Sequence, residues 1–187
     1  MIFEKTNLRD AYLIEVEKRS DQRGFFARMW CRKEFEEHGL ASQVVQTNIS
    51  YNIKKGTIRG MHFQIDPYQE TKLVRCTRGA IYDVIIDLRP DSPTYGEWTG
   101  VELSADNYRM FFVPKNFAHG FQTLIDDTEV TYQVTEFYTP GAERGLRYDD
   151  PVFAIVWPLP VSVISDKDKS WPAFAEGGYP NPPGKNL

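Results

Sequence analysis

Short apolar segments rich in Val, Ile, Tyr, Phe and Thr alternate along the chain with turns rich in Gly, Pro, Asn and Asp. Segments of this length and spacing are typical of an all-β sandwich or barrel. The predicted strands are Tyr12–Val16, Val44–Tyr51, Thr57–Gln64, Lys72–Thr77, Ala80–Leu88, Glu97–Leu103, Met110–Val113, Gly120–Ile125 and Glu129–Tyr138. A short helix is predicted at Lys33–His38 and ends at Gly39. The pattern therefore predicts an all-β domain with little helix.

Alternation along a strand indicates which side chains share a face. The predicted strand at 129–138 places Tyr132 and Tyr138 on one face. The strand at 80–88 places Asp83 and Asp87 on one face, which indicates either a polar lumen or an edge facing water.

Arg59 and His62 are three residues apart, so strict alternation puts their side chains on opposite faces of a strand. Both enter one cavity only if the strand bends or bulges between them. Gly60 is where such a bend is expected.

Composition limits the classes of protein that remain. The 187 residues are 41% hydrophobic and 14% aromatic, which predicts one globular domain, with a Pro- and Gly-rich tail from about Trp171. The net charge of −4 argues against a nucleic-acid surface. Cys31 and Cys76 form neither a disulfide framework nor a metal-binding spacing. The charged N-terminal segment lacks the apolar core of a signal peptide, and no apolar run approaches the roughly 18 residues of a membrane span, so we expect a cytoplasmic location without membrane contact.

Two of the three histidines are candidates for proton transfer. His62 has an unperturbed pKa near 6.5, which suits a general base at neutral pH, and a carboxylate such as Asp168 would orient it. His119 lies in apolar surroundings, where Asp83 would orient it in the same way. A single histidine on a strand is more often a hydrogen-bonded core residue, so neither assignment stands on one residue alone.

Other residue types supply the remaining parts of such a site. Tyr132, with an ordinary pKa near 10, would act as an acid, although most strand tyrosines only pack. Lys72 would stabilise an enolate or an anion if it pointed into a barrel, and would be solvated at a strand end otherwise. Arg23 and Arg59 each have the planar fork that binds phosphate.

Other kinds of site lack their motifs. Each of the three histidines stands alone in its segment, without the closely spaced pair that metal-binding barrels usually offer, so we expect no metal. The sequence contains no Gly-x-Ser-x-Gly elbow, no Gly-x-Gly-x-x-Gly fingerprint and no Walker loop, so a serine nucleophile, a dinucleotide cofactor and nucleoside triphosphate hydrolysis are not predicted.

An ordered set of motifs over residues 20–170 resembles the dTDP-4-dehydrorhamnose 3,5-epimerase family. The matching segments are Asp21–Phe26, Gln46–Asn48, Gly56–Gln64, Lys72–Arg75, Asp83–Arg89, Pro114–Phe121, Tyr132–Tyr138, Asp150–Pro151, Ile155–Pro158 and Ser165–Asp168. The resemblance implies a cupin-type double-stranded β-helix (jelly roll) with short peripheral helices. It also implies a homodimer and neither a metal nor a cofactor.

The resemblance assigns a role to each matching residue. His62 is the base, oriented by Asp168, and Tyr132 is the acid on the opposite face. Lys72 and His119, the latter backed by Asp83, stabilise the enolate oxygen. The implied substrate contacts are Arg23 (offered to the partner's site), Arg59, Phe26, Gln46, Asn48, Tyr138, Glu143 and Lys167.

Two positions depart from the family pattern. Arg28 stands where the family usually has a glutamate that contacts the nucleobase, which puts the preference for thymine in question. Glu70-Thr71 precedes Lys72 where a Gln-Ala-like pair is more typical, so the surroundings of the lysine are expected to differ.

The implied activity is epimerisation of dTDP-4-dehydro-6-deoxyglucose at C3 and C5 to give dTDP-4-dehydrorhamnose. Two alternatives stay open. One is a 3-only or 5-only epimerase acting on another nucleotide sugar. The other is a non-catalytic module that binds sugar nucleotides.

Overall fold

The computed structural model describes residues 1–180 and 182. Its strands are β1 (Ile2–Lys5), β2 (Tyr12–Glu15), β3 (Arg19–Asp21), β4 (Gly24–Phe26), β5 (Gln46–Asn52), β6 (Thr57–Gln64), β7 (Lys72–Arg78), β8 (Ala80–Asp87), β9 (Trp98–Ser104), β10 (Met110–Val113), β11 (Phe117–Thr123), β12 (Thr128–Val134), β13 (Glu143–Gly145) and β14 (Val163–Ile164). The helices are α1 (Arg32–Glu37), α2 (Asp166–Lys169) and a 3₁₀ helix at Phe174–Gly177.

Two large antiparallel sheets form the body of the fold. Sheet I has the strand order β1-β2-β10-β7-β12-β5, so β5 is an edge strand. Sheet II has the order β13-β6-β11-β8-β9, and β14 adds to β6 in parallel. β3 and β4 form a separate hairpin. This architecture confirms the predicted all-β class and the cupin-type jelly roll.

The core lies in three layers. Between the sheets, inward-facing residues of sheet I such as Val74 and Phe111 pack against Ile85 and Phe121 of sheet II. Outside sheet I, α1 inserts Phe35, which is fully buried. Outside sheet II, Met61 and Phe63 of β6 pack with Phe153 and Phe174 of the C-terminal region. Burial of each such large apolar side chain stabilises the fold by roughly 1.5–3 kcal/mol.

The predicted elements match the observed ones well where alternation was strong. The strands at 57–64 and 110–113 begin and end where predicted, and α1 is followed by Gly39 at a φ of +69°. Most other boundaries differ by one or two residues, and two were wrong by three residues or more. β11 begins at Phe117 instead of Gly120, so His119 lies within the strand.

β12 ends at Val134 instead of Tyr138. Val134 pairs with both Gln46 and Lys72, the first residues of the neighbouring strands, so no strand backbone remains beside residues 136–138. Tyr138 therefore lies on a loop, and alternation does not set its direction.

The predicted tail from about residue 171 lies partly outside the described residues. Within them, Phe174 is fully buried and its ring stacks on Tyr179 with centroids 5.0 Å apart. This segment therefore packs on the outer face of sheet II. The described residues contain no helix with the length and apolar character that a membrane crossing requires.

Candidate active site

An open cavity of about 770 Å³ lies between the two sheets. β5, β7 and β12 supply one wall, and β6 and β11 supply the other, with β13 and α2 beside them. Most of the residues predicted for the site line this cavity. They are Gln46, Asn48, Arg59, His62, Lys72, His119, Tyr132, Tyr138, Glu143, Lys167 and Asp168.

His62 and Asp168 form a hydrogen-bonded pair, although 106 residues separate them. Nε2 of His62 lies 2.7 Å from Oδ1 of Asp168, whose side chain is only 6% exposed. An ionised carboxylate only accepts hydrogen bonds, so the proton of the neutral imidazole lies on Nε2. Nδ1 is then left with its lone pair and has no hydrogen-bond partner among residues 1–180. This is the arrangement of an oriented general base.

Local structure holds Asp168 in its ionised form. Ser165 caps α2 by accepting from the backbone N–H of Asp168 at 3.1 Å. The backbone N–H of Gly60 donates to Oδ2 at 3.3 Å. Burial alone would raise the pKa of Asp168, but the hydrogen bonds from His62 and Gly60 outweigh it and lower the pKa below its ordinary value.

A second histidine stands beside the first. His119 of β11 is the direct cross-strand partner of His62 on β6. Its Nε2 lies 2.8 Å from Oδ1 of Asp83, which is fully buried. The two aspartates predicted to face a lumen or an edge, Asp83 and Asp87, are both buried, and Asp83 contacts the cavity-lining His119 without lining the cavity itself.

Tyr132 and Lys72 occupy the opposite wall. Tyr132 of β12 pairs with Val74 of β7, and Lys72 pairs with Val134, so Tyr132 and Lys72 are diagonal neighbours on one face of sheet I. Burial raises the pKa of the Tyr132 phenol, and the negative charge of Glu70 raises it further. The phenol therefore stays protonated at neutral pH and suits a proton donor.

Arg59 enters the same cavity as His62 because β6 departs from strict alternation. Gly60 has a φ of +129°, and the pairing register of β6 with β11 shifts between His119 and Phe121. A Cβ at Gly60 would lie 2.5 Å from Cα of Gly120, so only glycine fits. The bend expected at Gly60 is therefore present. Arg59 Nε donates to Asn52 Oδ1 at 2.7 Å.

Polar groups around Tyr138 line another part of the cavity. Gln46 accepts from the backbone N–H of Tyr138 at 2.9 Å. Glu143 accepts from the hydroxyl of Tyr138 at 3.4 Å and from the ammonium of Lys167. The contact with Glu143 raises the pKa of Lys167. The exposed Tyr138 ring leaves a flat surface on which a planar group can stack.

Three predicted substrate contacts lie away from the cavity of their own chain. Arg23 is on the β3–β4 hairpin, where its side chain is 83% exposed and its guanidinium pairs with Asp21. Phe26 and Arg28 line a separate cavity of about 60 Å³. Arg28 donates to Glu34 there at 3.2 Å.

Three residues contribute to the site without having been predicted. Glu70 lies in the cavity with Oε1 3.1 Å from Nζ of Lys72. Gln64 is buried and bridges Glu70 to the loop that carries Tyr138. Ser165 positions Asp168, and its spacing of three residues before an acidic residue is a helix-cap signal visible in the sequence.

Metal-ligating side chains do not converge in the described part of the chain. Within residues 1–180 and 182, no three His, Cys, Asp or Glu residues are grouped so as to hold a metal ion.

A jelly roll whose lumen holds a carboxylate-oriented histidine opposite a half-buried tyrosine defines an acid–base enzyme of the cupin-like class. Comparison with known proteins narrows this class. The sequence model described as dTDP-4-dehydrorhamnose 3,5-epimerase matches residues 5–176. The chain belongs to the dTDP-4-dehydrorhamnose 3,5-epimerase family.

Individual relatives are similar over nearly their whole length. A protein named dTDP-4-dehydrorhamnose 3,5-epimerase from Sinorhizobium fredii is 44% identical over 177 residues, which cover 94% of this chain and 91% of the relative. The crystal structure of the enzyme of that name from Elizabethkingia anophelis superposes with a TM-score of 0.93 at 39% identity, covering 96% of this chain and 99% of the other.

A third relative is described with a ligand. The 3,5-epimerase from Legionella pneumophila, in complex with dTDP-4-keto-L-rhamnose, has a TM-score of 0.83 at 39% identity and covers 89% of each chain.

Proposed function

We propose that this protein epimerises a dTDP-linked 4-keto-6-deoxyhexose at C3 and C5, converting dTDP-4-dehydro-6-deoxyglucose to dTDP-4-dehydrorhamnose. The observation that carries the proposal is that His62 of sheet II, paired with Asp168 of α2, faces Tyr132 of sheet I across one cavity. Inversion of a carbon requires a base on one face of the sugar ring and an acid on the other, and this arrangement supplies both.

The mechanism follows from the acidity of the carbons beside the ketone. Nδ1 of His62 removes the proton from C3 or C5, and the electron pair moves to the ketone oxygen to give an enolate. Lys72 and His119 stabilise the developing negative charge. Tyr132 then returns a proton to the opposite face of the carbon. Each inversion leaves the substrate at the same oxidation state, while His62 gains one proton and Tyr132 loses one. Proton exchange with solvent through the open cavity returns both side chains to their starting states before the next inversion.

The nucleotide is assigned to the part of the cavity around Tyr138. The ring of Tyr138 stacks on the base, and Gln46, Asn48, Glu143 and Lys167 supply polar contacts to it and to the sugar. Arg59 binds the diphosphate with its guanidinium. The complex of the Legionella relative supports a dTDP-linked ligand for this chain.

Deuterium exchange decides among the possible activities. The protein is incubated with dTDP-4-dehydro-6-deoxyglucose in D₂O, and the H3 and H5 signals are followed by NMR. We expect deuterium to enter at both carbons. Exchange at one carbon only would identify a 3-only or 5-only epimerase. Binding without exchange at either carbon would contradict the proposal and favour a binding module.

We propose further that the protein is a homodimer. β5 is an edge strand, on which Ile49 and Tyr51 are 68% and 46% exposed, and Ile53, the residue after it, is 65% exposed. An apolar edge strand of this kind favours association with another strand. Arg23, which makes no contact with its own cavity, is then available to bind the diphosphate in the site of the partner subunit.

Subunit mixing tests the sharing of Arg23. The His62→Ala and Arg23→Ala variants should each be inactive or weak as homodimers. In a mixed dimer, one site combines an intact His62 with an intact Arg23 from the partner, so activity should return to about half of the wild-type value per heterodimer. If a verified heterodimer remained as inactive as the two homodimers, Arg23 would not act across the interface.

Arg28 motivates a nucleobase comparison, because its guanidinium replaces an acidic contact expected of the family. The exchange rates with the dTDP-linked and UDP-linked substrates at equal concentration give the preference directly. We expect the dTDP-linked sugar to react faster. The cytoplasmic location and the absence of a cofactor stay predictions from the sequence.

A further inference from the structure

A carboxylate, an ammonium and a phenol lie together on the side of the cavity formed by sheet I. They belong to Glu70, Lys72 and Tyr132, and we call these three residues the donor wall. The Glu70 and Lys72 side chains are only 13% and 11% exposed, and their charged atoms lie 3.1 Å apart. Because an ammonium so nearly buried requires a counter-ion, the contact with Glu70 holds the cation in the cavity.

Glu70 is itself fixed by a buried amide. Nε2 of Gln64 donates to Glu70 Oε2 at 3.3 Å, so the two carboxylate oxygens contact Gln64 and Lys72 respectively. The two N–H groups of this amide are shared among Glu70 and the carbonyls of Tyr68 at 3.1 Å and Phe137 at 3.2 Å. The amide oxygen accepts from the backbone N–H of Thr139 at 2.8 Å. A carboxylate held at both oxygens has a defined position relative to the lysine.

We propose that Glu70 is a positioning residue of the donor wall, which holds the Lys72 ammonium at the place of the ketone oxygen and keeps the Tyr132 phenol protonated for donation. The proposal rests on the proposed function of the same cavity. It assigns a role to an acidic residue at a position where the family more often has an uncharged one.

The electrostatic half of the proposal follows from the sign of the charge. A carboxylate close to a phenol disfavours the phenolate and so preserves the acid. Burial is the larger cause of the raised pKa of Tyr132, and Glu70 is the next. Other charged or titratable groups also line the cavity, and the Glu70 variants leave their charges and contacts in place, except for Lys72, whose contact with Glu70 changes. They are Arg59, His62, Lys72, His119, Glu143, Lys167 and Asp168.

Two substitutions at Glu70 separate its effect on the position of Lys72 from its effect on the protonation of Tyr132. Glu70→Gln keeps the length of the side chain and removes its charge. Glu70→Asp keeps the charge and shortens the side chain, which withdraws the carboxylate from Lys72. Glu102→Gln, on the exposed part of β9, is the matched control for loss of one negative charge.

The test titrates Tyr132 directly. Protein labelled with ¹³C at the Cζ of tyrosine is titrated by NMR, and the Tyr132→Phe variant assigns the signal. Glu70→Gln should lower the titration midpoint of Tyr132 by about 0.5–1 pH unit, the effect of one partly screened charge, and Glu102→Gln should leave it in place. An unchanged midpoint in a folded Glu70→Gln protein would overturn the electrostatic role. If the Glu70→Gln protein does not fold, the same titration of Tyr132 is made with Glu70→Ala.

Kinetics test the positioning half. The alkaline limb of kcat/KM should move to lower pH in Glu70→Gln and keep its wild-type position in Glu70→Asp. Glu70→Asp should instead lower kcat by about tenfold or more, because the ammonium is displaced. A Glu70→Asp protein with wild-type kcat would overturn the positioning role. Absence of exchange activity in the wild-type protein would count against the proposed function, while the Tyr132 titration would still decide whether Glu70 protects the phenol.

Discussion

Replacement of Asp168 by asparagine tests the orientation of the proposed base with little change in shape. In the native protein, Oδ1 of Asp168 accepts from His62 Nε2 and Oδ2 accepts from the Gly60 N–H. Asparagine offers one oxygen and one NH₂ group at these two positions. If the asparagine oxygen accepts from the Gly60 N–H, its NH₂ group faces His62. Nε2 must then accept a hydrogen bond, so the proton of the imidazole moves to Nδ1.

The size of the effect follows from this hydrogen-bond pattern. Loss of a hydrogen bond to a charged group costs about 1.5–3 kcal/mol, which corresponds to roughly 10- to 150-fold in rate. The wrong tautomer adds to this cost, because Nδ1 then carries a proton and cannot accept one. We therefore expect kcat to fall by about 10²–10⁴-fold, as for other histidine bases that lose their carboxylate. KM should change little, because Asp168 is almost wholly buried beneath the histidine.

The assay measures two quantities in Asp168→Asn. Deuterium exchange at C3 and C5 gives the rate of proton removal, and ¹⁵N NMR of the His62 ring gives the tautomer. Asp166→Asn is the control, because Asp166 lies on the same short helix and is fully exposed. If Asp168→Asn lost less than about tenfold in kcat while the proton remained on Nε2, the orienting role of Asp168 would be refuted.

Three further predictions concern the acid, the diphosphate contact and the fold. Tyr132→Phe should slow net inversion more than deuterium exchange, since it removes the donor and leaves the base; equal losses in both would argue against a separate donor. Arg59→Ala should raise KM by about 10- to 100-fold and weaken its dependence on salt, with kcat less affected; an unchanged KM would exclude the diphosphate contact. Burial would raise the pKa of Asp87, but the hydrogen bonds from Arg89, Ser92 and Thr94 outweigh it and lower the pKa. Its stabilising effect is therefore present above the unfolded pKa near 3.8 and is lost as the pH falls through the folded pKa, so Asp87→Asn should flatten the loss of thermal stability below about pH 4. If the thermal stability of Asp87→Asn fell as steeply at acid pH as that of the wild-type protein, the stabilising role of the Asp87 carboxylate would be contradicted.

Alternation predicted the long strands because each of them buries one face against a continuous core. β6 and β10 were placed to the residue, and the helix at 32–37 to within one residue. Short pairings such as β3–β4 and β13 carry too few residues to show a period. β13 forms because β6 supplies its partner, which is a tertiary effect, whereas β3 and β4 pair with each other across a two-residue turn.

The site was harder to predict from local pattern than the fold. No local pattern shows that Asp168 meets His62 across 106 residues, and the resemblance to the family supplied that pairing. Gly60 was the one local signal of unusual geometry, and it marks the place where β6 bends. Tyr138 reaches the cavity from a loop held by Gln46 and Gln64, so strand parity predicted its side of the sheet for the wrong reason.

Glu70 was not predicted to be a residue of the site. It was visible only as a departure from the family pattern, and its partner Lys72 is two residues away on the following strand. The direction of the Glu70 side chain depends on Gln64, which is anchored by a loop more than sixty residues further along the chain. Sequence spacing alone contains no information about that anchor.

Deuterium exchange in His62→Ala tests the central claim most directly, which is that one histidine removes protons from both carbons beside the ketone. His38→Ala, an exposed histidine after α1, is the control for loss of an imidazole. The account predicts that His62→Ala loses exchange at C3 and C5 together while His38→Ala keeps both. Exchange that continued at the wild-type rate at either carbon in His62→Ala would contradict it.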